Sequence, residues 1–149
     1  PHPADFERKL FHAVIDAGAD VVVRTGPHVL NGIEIHKGKL IFYSLGSLFW
    51  PFGARDFGPT TGERRSAMAM LTIPETSETV VPVVVYENGR ARDIRLHPVA
   101  IDPGPGPTAF FPRRPVGTQA RQILERLKAM SAEYGTNLRI DGEVGLIQP

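Results

Sequence analysis

The sequence predicts an α/β domain with mixed sheets and two main helices, and three observations support that prediction. A stretch with apolar residues at helical spacing comes directly before the short β-branched run Val21–Val23. Several β-forming runs follow, separated by turns that contain glycine. A second helical stretch and a short hairpin come last. A helix that leads straight into an apolar strand is typical of an α/β layer, because the helix covers one face of the sheet.

The composition is that of one globular domain without thiol chemistry. The 149 residues are 42% hydrophobic and 22% charged, which is enough to form a core. Lys and Arg number 17 against 16 for Asp and Glu, and this formal net charge of +1 predicts no strong binding to nucleic acid. The absence of cysteine excludes disulfides, thiol nucleophiles and thiolate metal sites. No apolar run approaches the ~20 residues of a transmembrane helix, so the sequence predicts no transmembrane segment.

The first predicted helix covers residues 4–17 and ends at Gly18, a residue favoured at helix C-termini. Its apolar residues recur at helical spacing and are expected to face the core: Phe6, Leu10, Phe11, Val14 and Ile15. Its charged residues are expected to face away: Glu7, Arg8, Lys9 and Asp16.

The next predicted elements are β-strands. Residues 33–36 alternate and residues 40–45 are continuously β-forming, so the glycine-containing turn between them predicts a hairpin. The Gly-, Pro- and charge-rich residues 51–65 predict a surface loop. Strands are then predicted at residues 67–73, 79–86 and 91–99. Pro82 in the middle strand indicates an edge position or a bulge, because proline cannot donate to the ladder, and Asn88-Gly89 favours a tight turn.

The remaining stretch contains a loop, a helix and a hairpin. Residues 102–117 are too rich in proline and glycine for regular structure and predict a long loop. Thr118 is expected to N-cap a helix that runs to about Tyr134, with Gly135 after it. The apolar stripe of this helix is Ile123, Leu124, Leu127 and Met130. A terminal hairpin is expected to turn at Asp141-Gly142.

His28 is the histidine that local pattern places best for chemistry. It follows a strand end, where Gly26 permits close backbone approach and Pro27 fixes φ. Active sites of open α/β sheets lie at the carboxyl ends of strands. The residues alone leave two interpretations open, a metal ligand and a polar residue in an ordinary turn. The other histidines have plainer interpretations: His12 is structural or solvated, His36 and His97 are exposed at strand ends, and His2 lies near a terminus.

No local set of residues completes a catalytic site. A catalytic metal centre needs three or more protein ligands, and near His28 the sequence offers Asn31 and Glu34. Glu34 alternates with isoleucines and is explained equally well as the polar face of a strand. Ser44 lacks a G-x-S-x-G elbow, and the GPGP stretch lacks the lysine of a phosphate loop. The paired arginines at 64–65 and 113–114 are interpreted as solvated loop charges.

A family resemblance runs through IDAGADVVVRTGPHVLNGIEIHKGKLIFYSLGSLF. This stretch resembles the C-terminal signature of the CapA family of capsule, or poly-γ-glutamate, synthesis proteins. The matching residues are Ile15-Asp16, Gly18-Ala19-Asp20, Pro27-His28-Val29-Leu30, Gly32-Ile33-Glu34-Ile35, Gly38-Lys39 and Tyr43-Ser44-Leu45-Gly46. The resemblance implies the C-terminal half of a calcineurin-like metallophosphoesterase α/β/β/α sandwich, with metal ligands at strand ends.

The resemblance also implies which residues form the site. His28 matches the last histidine of the family's G-H-x-P-H motif and would be a metal ligand, whereas Arg24-Thr25 stands in place of Gly-His. A threonine hydroxyl is a weak ligand and an arginine repels cations, so we expect a degenerate site. The residues expected to line it are Arg24, Thr25, Gly26, Asn31 and Ser47, the last of which replaces the family's Asn. His36 replaces its Tyr and Leu48 its Phe. The expected cofactor is a divalent ion, with Mn, Fe, Zn and Mg not distinguished.

These observations predict a single, incomplete CapA-like domain over residues 1–149. Its parts are the helix–strand–loop–hairpin signature at 1–50, a β-hairpin region at 66–99, and a C-terminal helix with a short hairpin at 118–149. Because the resemblance places most ligands upstream, the chain alone is expected to be inactive as a phosphoesterase. Its expected partners are an upstream half-domain or polymer-synthesis proteins, in association with the cell envelope. The alternative is a non-catalytic interaction module of an envelope polymer assembly.

Overall fold

A computed structural model describes residues 2–49, 73–102, 108 and 110–148. The predicted loop at 51–65, nearly all of the predicted strand at 67–73 and the middle of the predicted loop at 102–117 lie outside the described residues.

The described residues form two helices, eight strands and one 3₁₀ turn, which confirms the α/β class. In chain order these are α1 (Asp5–Asp16), β1 (Val21–Val23), β2 (Ile33–His36), β3 (Lys39–Phe42), the 3₁₀ turn (Pro74–Thr76), β4 (Glu78–Glu87), β5 (Arg90–Ile101), β6 (Pro112–Arg113), α2 (Thr118–Ala132), β7 (Leu138–Asp141) and β8 (Val144–Ile147).

The strands form two sheets, one of them mixed. In the first sheet, β3 lies in the centre, parallel to β1 and antiparallel to β2. In the second, the antiparallel order is β4-β5-β8-β7, and the short β6 also pairs with β5. The β2–β3 and β4–β5 turns contain Lys37-Gly38 and Asn88-Gly89, all with positive φ, as tight hairpin turns require. Among the described strands, β4, which carries Pro82, is the last in its sheet, in agreement with the predicted edge position.

One apolar core joins α2 to both sheets. Its fully buried side chains include Ile33 and Phe42 from the first sheet, Ile94 and Leu96 from β5, and Leu124 from α2. The opposite face of the first sheet carries Glu34 and Tyr43 and contacts α1. No helix in the described part of the chain is long and apolar enough to cross a membrane.

The predicted inward face of α1 is correct for Ile15, which is buried, and for Phe11, which packs beside it, but wrong for three other residues. Phe6 is 70% exposed and Leu10 is 53% exposed, and Val14 also faces solvent. The helix instead turns Arg8 and Asp16, which were expected to face away, towards β2 and the turn that follows it. The reason is that this side of the first sheet is only partly apolar. It carries Glu34 and His36 beside Ile41 and Tyr43, so α1 packs apolar side chains on it and also pairs charged side chains with it.

The start of α2 and the terminal turn also differ from prediction. Gly117 is the N-cap and Thr118 is the first helical residue, with no side-chain cap. The N–H of Gly117 instead donates to the Glu143 carboxylate at 2.6 Å, so a distant acidic side chain performs the capping. In the last hairpin Asp141 pairs with Val144, so the turn residues are 142–143, one position later than expected.

Candidate metal centre

The corner after β1 has an unusual backbone at the candidate ligand. Gly26 has φ +124° and His28 has φ +59°, in the left-handed region that side chains other than glycine seldom occupy. Such conformations cluster at functional sites, because the surrounding structure must compensate for their cost of about 1–3 kcal/mol. His28 shares this conformation with the hairpin-turn residues Lys37 and Asn88, so the backbone conformation fits both a ligand and a turn residue.

His28 lies opposite Ser47 in an extension of the β2–β3 hairpin. Leu30 forms a bridge with Leu45 in the same register as the hairpin, and that register sets His28 against Ser47. The imidazole Nδ1 and the Ser47 hydroxyl lie 3.0 Å apart. A metal at this ring would therefore be bound through Nε2, with Ser47 fixing the orientation of the ligand. The sequence placed both residues at the site, and the structure brings them together.

Arg24 does not direct an unpaired charge at the corner. Its guanidinium forms an ion pair with Glu7 of α1. The backbone N–H of Arg24 donates to the carbonyl of Phe42 at 3.0 Å. Thr25 is exposed, as is Gly26. The arginine is thus attached to the helix and neutralised there, so the expected repulsion of a cation by Arg24 is reduced.

Asn31, the remaining residue expected to line the site, is buried within the same hairpin extension. Its side-chain oxygen accepts the N–H of Gly32 at 2.8 Å, and its own N–H donates to the Ser44 carbonyl at 3.0 Å. These contacts support the backbone beside His28.

The described residues of the corner do not by themselves fit a complete metal centre. The corner offers the imidazole of His28 with the hydroxyls of Thr25 and Ser47, and neutral hydroxyls are weak ligands. Across the described ranges, three or more His, Asp or Glu side chains with ligand atoms near one another occur at a different place, between α1 and β2.

That second place centres on Glu34, whose side chain is only 7% exposed. Arg8 donates to both carboxylate oxygens, at 2.9 and 3.3 Å, and the Tyr43 hydroxyl donates to Oε2 at 2.5 Å. Burial by itself would raise the pKa of Glu34, but the hydrogen bonds from Arg8 and Tyr43 outweigh it and lower the pKa to about 2. The same burial and the adjacent carboxylate raise the pKa of Tyr43. Glu34 is therefore an anion held inside the protein.

Two histidines adjoin this carboxylate. Nε2 of His12 lies 3.1 Å from Oε2 of Glu34, and the rings of His12 and His36 stack with centroids 4.0 Å apart and planes 8° apart. His36 in turn donates to Asp16 at 3.0 Å. His36 is half-buried here, so its interpretation as an exposed strand-end residue is wrong.

A spacing signal for this cluster was present in the sequence. Arg8, His12 and Asp16 recur every four residues, which places them on one face of α1. Glu34 and His36 lie two residues apart, which places them on the same face of β2. Apolar spacing in α1 does not indicate this polar stripe, whereas a period of four along α1 together with a period of two along β2 does.

The chain is similar to proteins of bacterial capsule synthesis. Residues 1–50, which contain the corner and both histidines of the second cluster, match the family described as bacterial capsule synthesis protein PGA_cap.

Curated relatives extend the similarity. The uncharacterized protein y4sH of Sinorhizobium fredii (strain NBRC 101917 / NGR234) is 36% identical over 176 aligned positions, which cover 98% of this chain and 37% of that protein. The PGA biosynthesis protein CapA of Bacillus subtilis (strain 168) is 49% identical over 88 positions, covering 57% and 22%. The capsule biosynthesis protein CapA of Bacillus anthracis is 32% identical over 82 positions, covering 55% and 18%. The chain thus spans between 18% and 37% of the length of these relatives.

Proposed function

Because this chain is a partial member of the CapA family of bacterial capsule synthesis proteins, we propose that it acts in the biosynthesis of a capsule or poly-γ-glutamate polymer. The observation that supports this most is the position of the family match. It covers residues 1–50, the segment that forms the His28 corner and fixes it against α1.

The second part of the proposal concerns the site. His28 contributes one ligand position of a degenerate metallophosphoesterase-type centre, in the C-terminal half of a calcineurin-like α/β/β/α sandwich. The Ser47 contact at 3.0 Å supports a ligand role, since it holds the ring in one orientation. The further ligands would have to come from outside the described residues. Those ligands would also determine whether the ion is Mn, Fe, Zn or Mg. Alone, the chain would not hydrolyse phosphoesters.

A segment exchange tests the role in polymer synthesis. Residues 24–47 of this chain would replace the corresponding segment of the Bacillus subtilis relative, and PGA would be measured in the culture medium of a strain that has only the exchanged protein. We expect PGA production to persist with the exchanged segment. Its loss, with the protein present at normal level by immunoblot, would refute the proposed function for this segment.

A matched variant separates the ligand role from the alternative of a non-catalytic interaction module. His28→Ala in the exchanged protein should lower PGA production at least about tenfold if the imidazole is a ligand, since even outer-shell changes at metal sites cost 10–100-fold. Undiminished PGA production with His28→Ala would overturn the ligand role. The reduced cation repulsion at Arg24 favours the ligand role, whereas the absence of a second imidazole at Thr25 favours the module.

A further inference from the structure

A group of potential metal ligands lies away from the His28 corner, between α1 and β2. His12, Glu34 and His36 each offer one ligand atom, and these atoms all lie within 4.8 Å of one another. Glu34 is buried and both histidines are half-buried, so the three side chains converge beneath the helix and not at an open surface. Two imidazoles and one carboxylate are a ligand set that divalent transition metals accept, and it leaves a fourth position open.

His12 has a polar atom that the protein does not satisfy. Its Nε2 is buried and makes no hydrogen bond with the described residues, although Oε2 of Glu34 lies 3.1 Å away. A buried nitrogen in this state costs free energy, and coordination to a metal would relieve that cost.

The neighbouring residues support the ligands as an outer shell would. Asp16 accepts a hydrogen bond from His36 at 3.0 Å, the carboxylate–histidine pairing common behind metal ligands. Arg8 and Tyr43 orient the Glu34 carboxylate and keep it ionised. A carboxylate offers about four lone-pair sites on two oxygens, so these donors and a metal can share it. Arg8 and Lys37 are paired with Glu34 and Asp16, and these pairs reduce the repulsion that the two positive charges would exert on a cation.

We infer that His12, Glu34 and His36 form a mononuclear site for a divalent transition metal of the Zn²⁺ class. Zn–N bonds are about 2.0–2.1 Å, so two nitrogen ligands on one ion stand no more than about 4.2 Å apart. Because the ring planes lie only 8° apart, their in-plane lone pairs run nearly parallel. Binding therefore requires the rings to rotate out of the stack seen at 4.0 Å, so that both point at one ion. The site is separate from the His28 corner and does not depend on the proposed function.

Titration of the full chain with Zn²⁺ and with Co²⁺ tests the site. Calorimetry with Zn²⁺ should give one site per chain, and Co²⁺ should give the visible absorption of a low-coordinate ion. His12→Gln and His36→Gln should each weaken Zn²⁺ binding by about a hundredfold, since outer-shell changes alone cost 10–100-fold. The matched control His97→Gln, on β5 and outside the cluster, should leave the affinity unchanged. Far-UV circular dichroism in chelator establishes that each variant is folded.

Three results would overturn the inference. One is the absence of saturable Zn²⁺ binding, and another is equal affinity in wild type and in both glutamine variants. The third is binding that is lost in His28→Ala but retained in His12→Gln, which would assign the ion to the corner. Because two histidines are replaced separately, failure of one variant to fold leaves the other to decide.

Discussion

Glu34→Gln tests whether the buried carboxylate stabilises the fold through its charge. The substitution keeps the shape of the side chain but removes the anion that Arg8 and Tyr43 donate to. The protein lowers the pKa of Glu34 from 4.5 to about 2. Each unit of pKa corresponds to 1.36 kcal/mol, so the ionised form contributes about 3 kcal/mol at pH 7. For a domain of this size, losing this contribution in Glu34→Gln should lower Tm by roughly 6–12 °C.

The pH dependence gives the sharper check. A carboxyl whose pKa is lowered on folding contributes its full stability above 4.5, the value in the unfolded chain, and loses it as the pH falls towards about 2. The difference in free energy of unfolding between wild type and Glu34→Gln should therefore have its full value at pH 7 and shrink between about pH 5 and pH 2. Urea unfolding followed by circular dichroism measures this difference. The buffer contains chelator, so that no metal contributes. The exposed Glu87→Gln is the matched control and should change stability by less than about 0.5 kcal/mol. If wild type and Glu34→Gln differ in free energy of unfolding by the same amount at pH 7 and pH 3, the reasoning is refuted.

Two further predictions concern packing. Gly32→Ala should destabilise the protein by about 1–3 kcal/mol in urea unfolding, because the added Cβ would stand 2.5 Å from the Tyr134 ring and 2.6 Å from the carbonyl of Met130. An unchanged midpoint would mean that α2 does not approach β2 this closely. Phe6→Ser should leave the thermal midpoint nearly unchanged, since this ring is 70% exposed, whereas Ile15→Ala should cost about 2–5 kcal/mol. A large loss of stability on Phe6→Ser would mean that this ring faces the core, as its helical spacing predicted.

The sequence was most informative where local chemistry decides the structure. Both tight turns at Lys37-Gly38 and Asn88-Gly89 occur where predicted, because few residues tolerate positive φ at two successive positions. The edge position of Pro82 follows from a missing donor, and the apolar stripe of α2 from its spacing. Each of these features depends on a few neighbouring residues.

Features set by distant partners could not be predicted in the same way. The capping of α2 by Glu143 joins residues 26 positions apart, and neither local sequence indicates it. The rotation of α1 depends on what the sheet presents to it, and Glu34 resembled the polar face of an ordinary strand. For the candidate site, motif and resemblance located His28 and Ser47, but the cluster around Glu34 needed the pairing of a helix face with a strand face.

The attachment of α1 connects the two candidate sites. Among its residues only Ile15 is buried, with Phe11 packed beside it, so apolar packing is limited. Ion pairs from Glu7 to Arg24 and from Arg8 to Glu34 add to the attachment. These pairs fix the rotation of the helix, because a turned helix would leave Glu34 buried without its guanidinium, at a cost of several kcal/mol. The rotation that satisfies Glu34 also brings His12 onto the carboxylate and lets Glu7 hold Arg24 beside the corner. One helix orientation, set by these charge pairs together with the packing of Phe11 and Ile15, therefore determines which groups both sites contain.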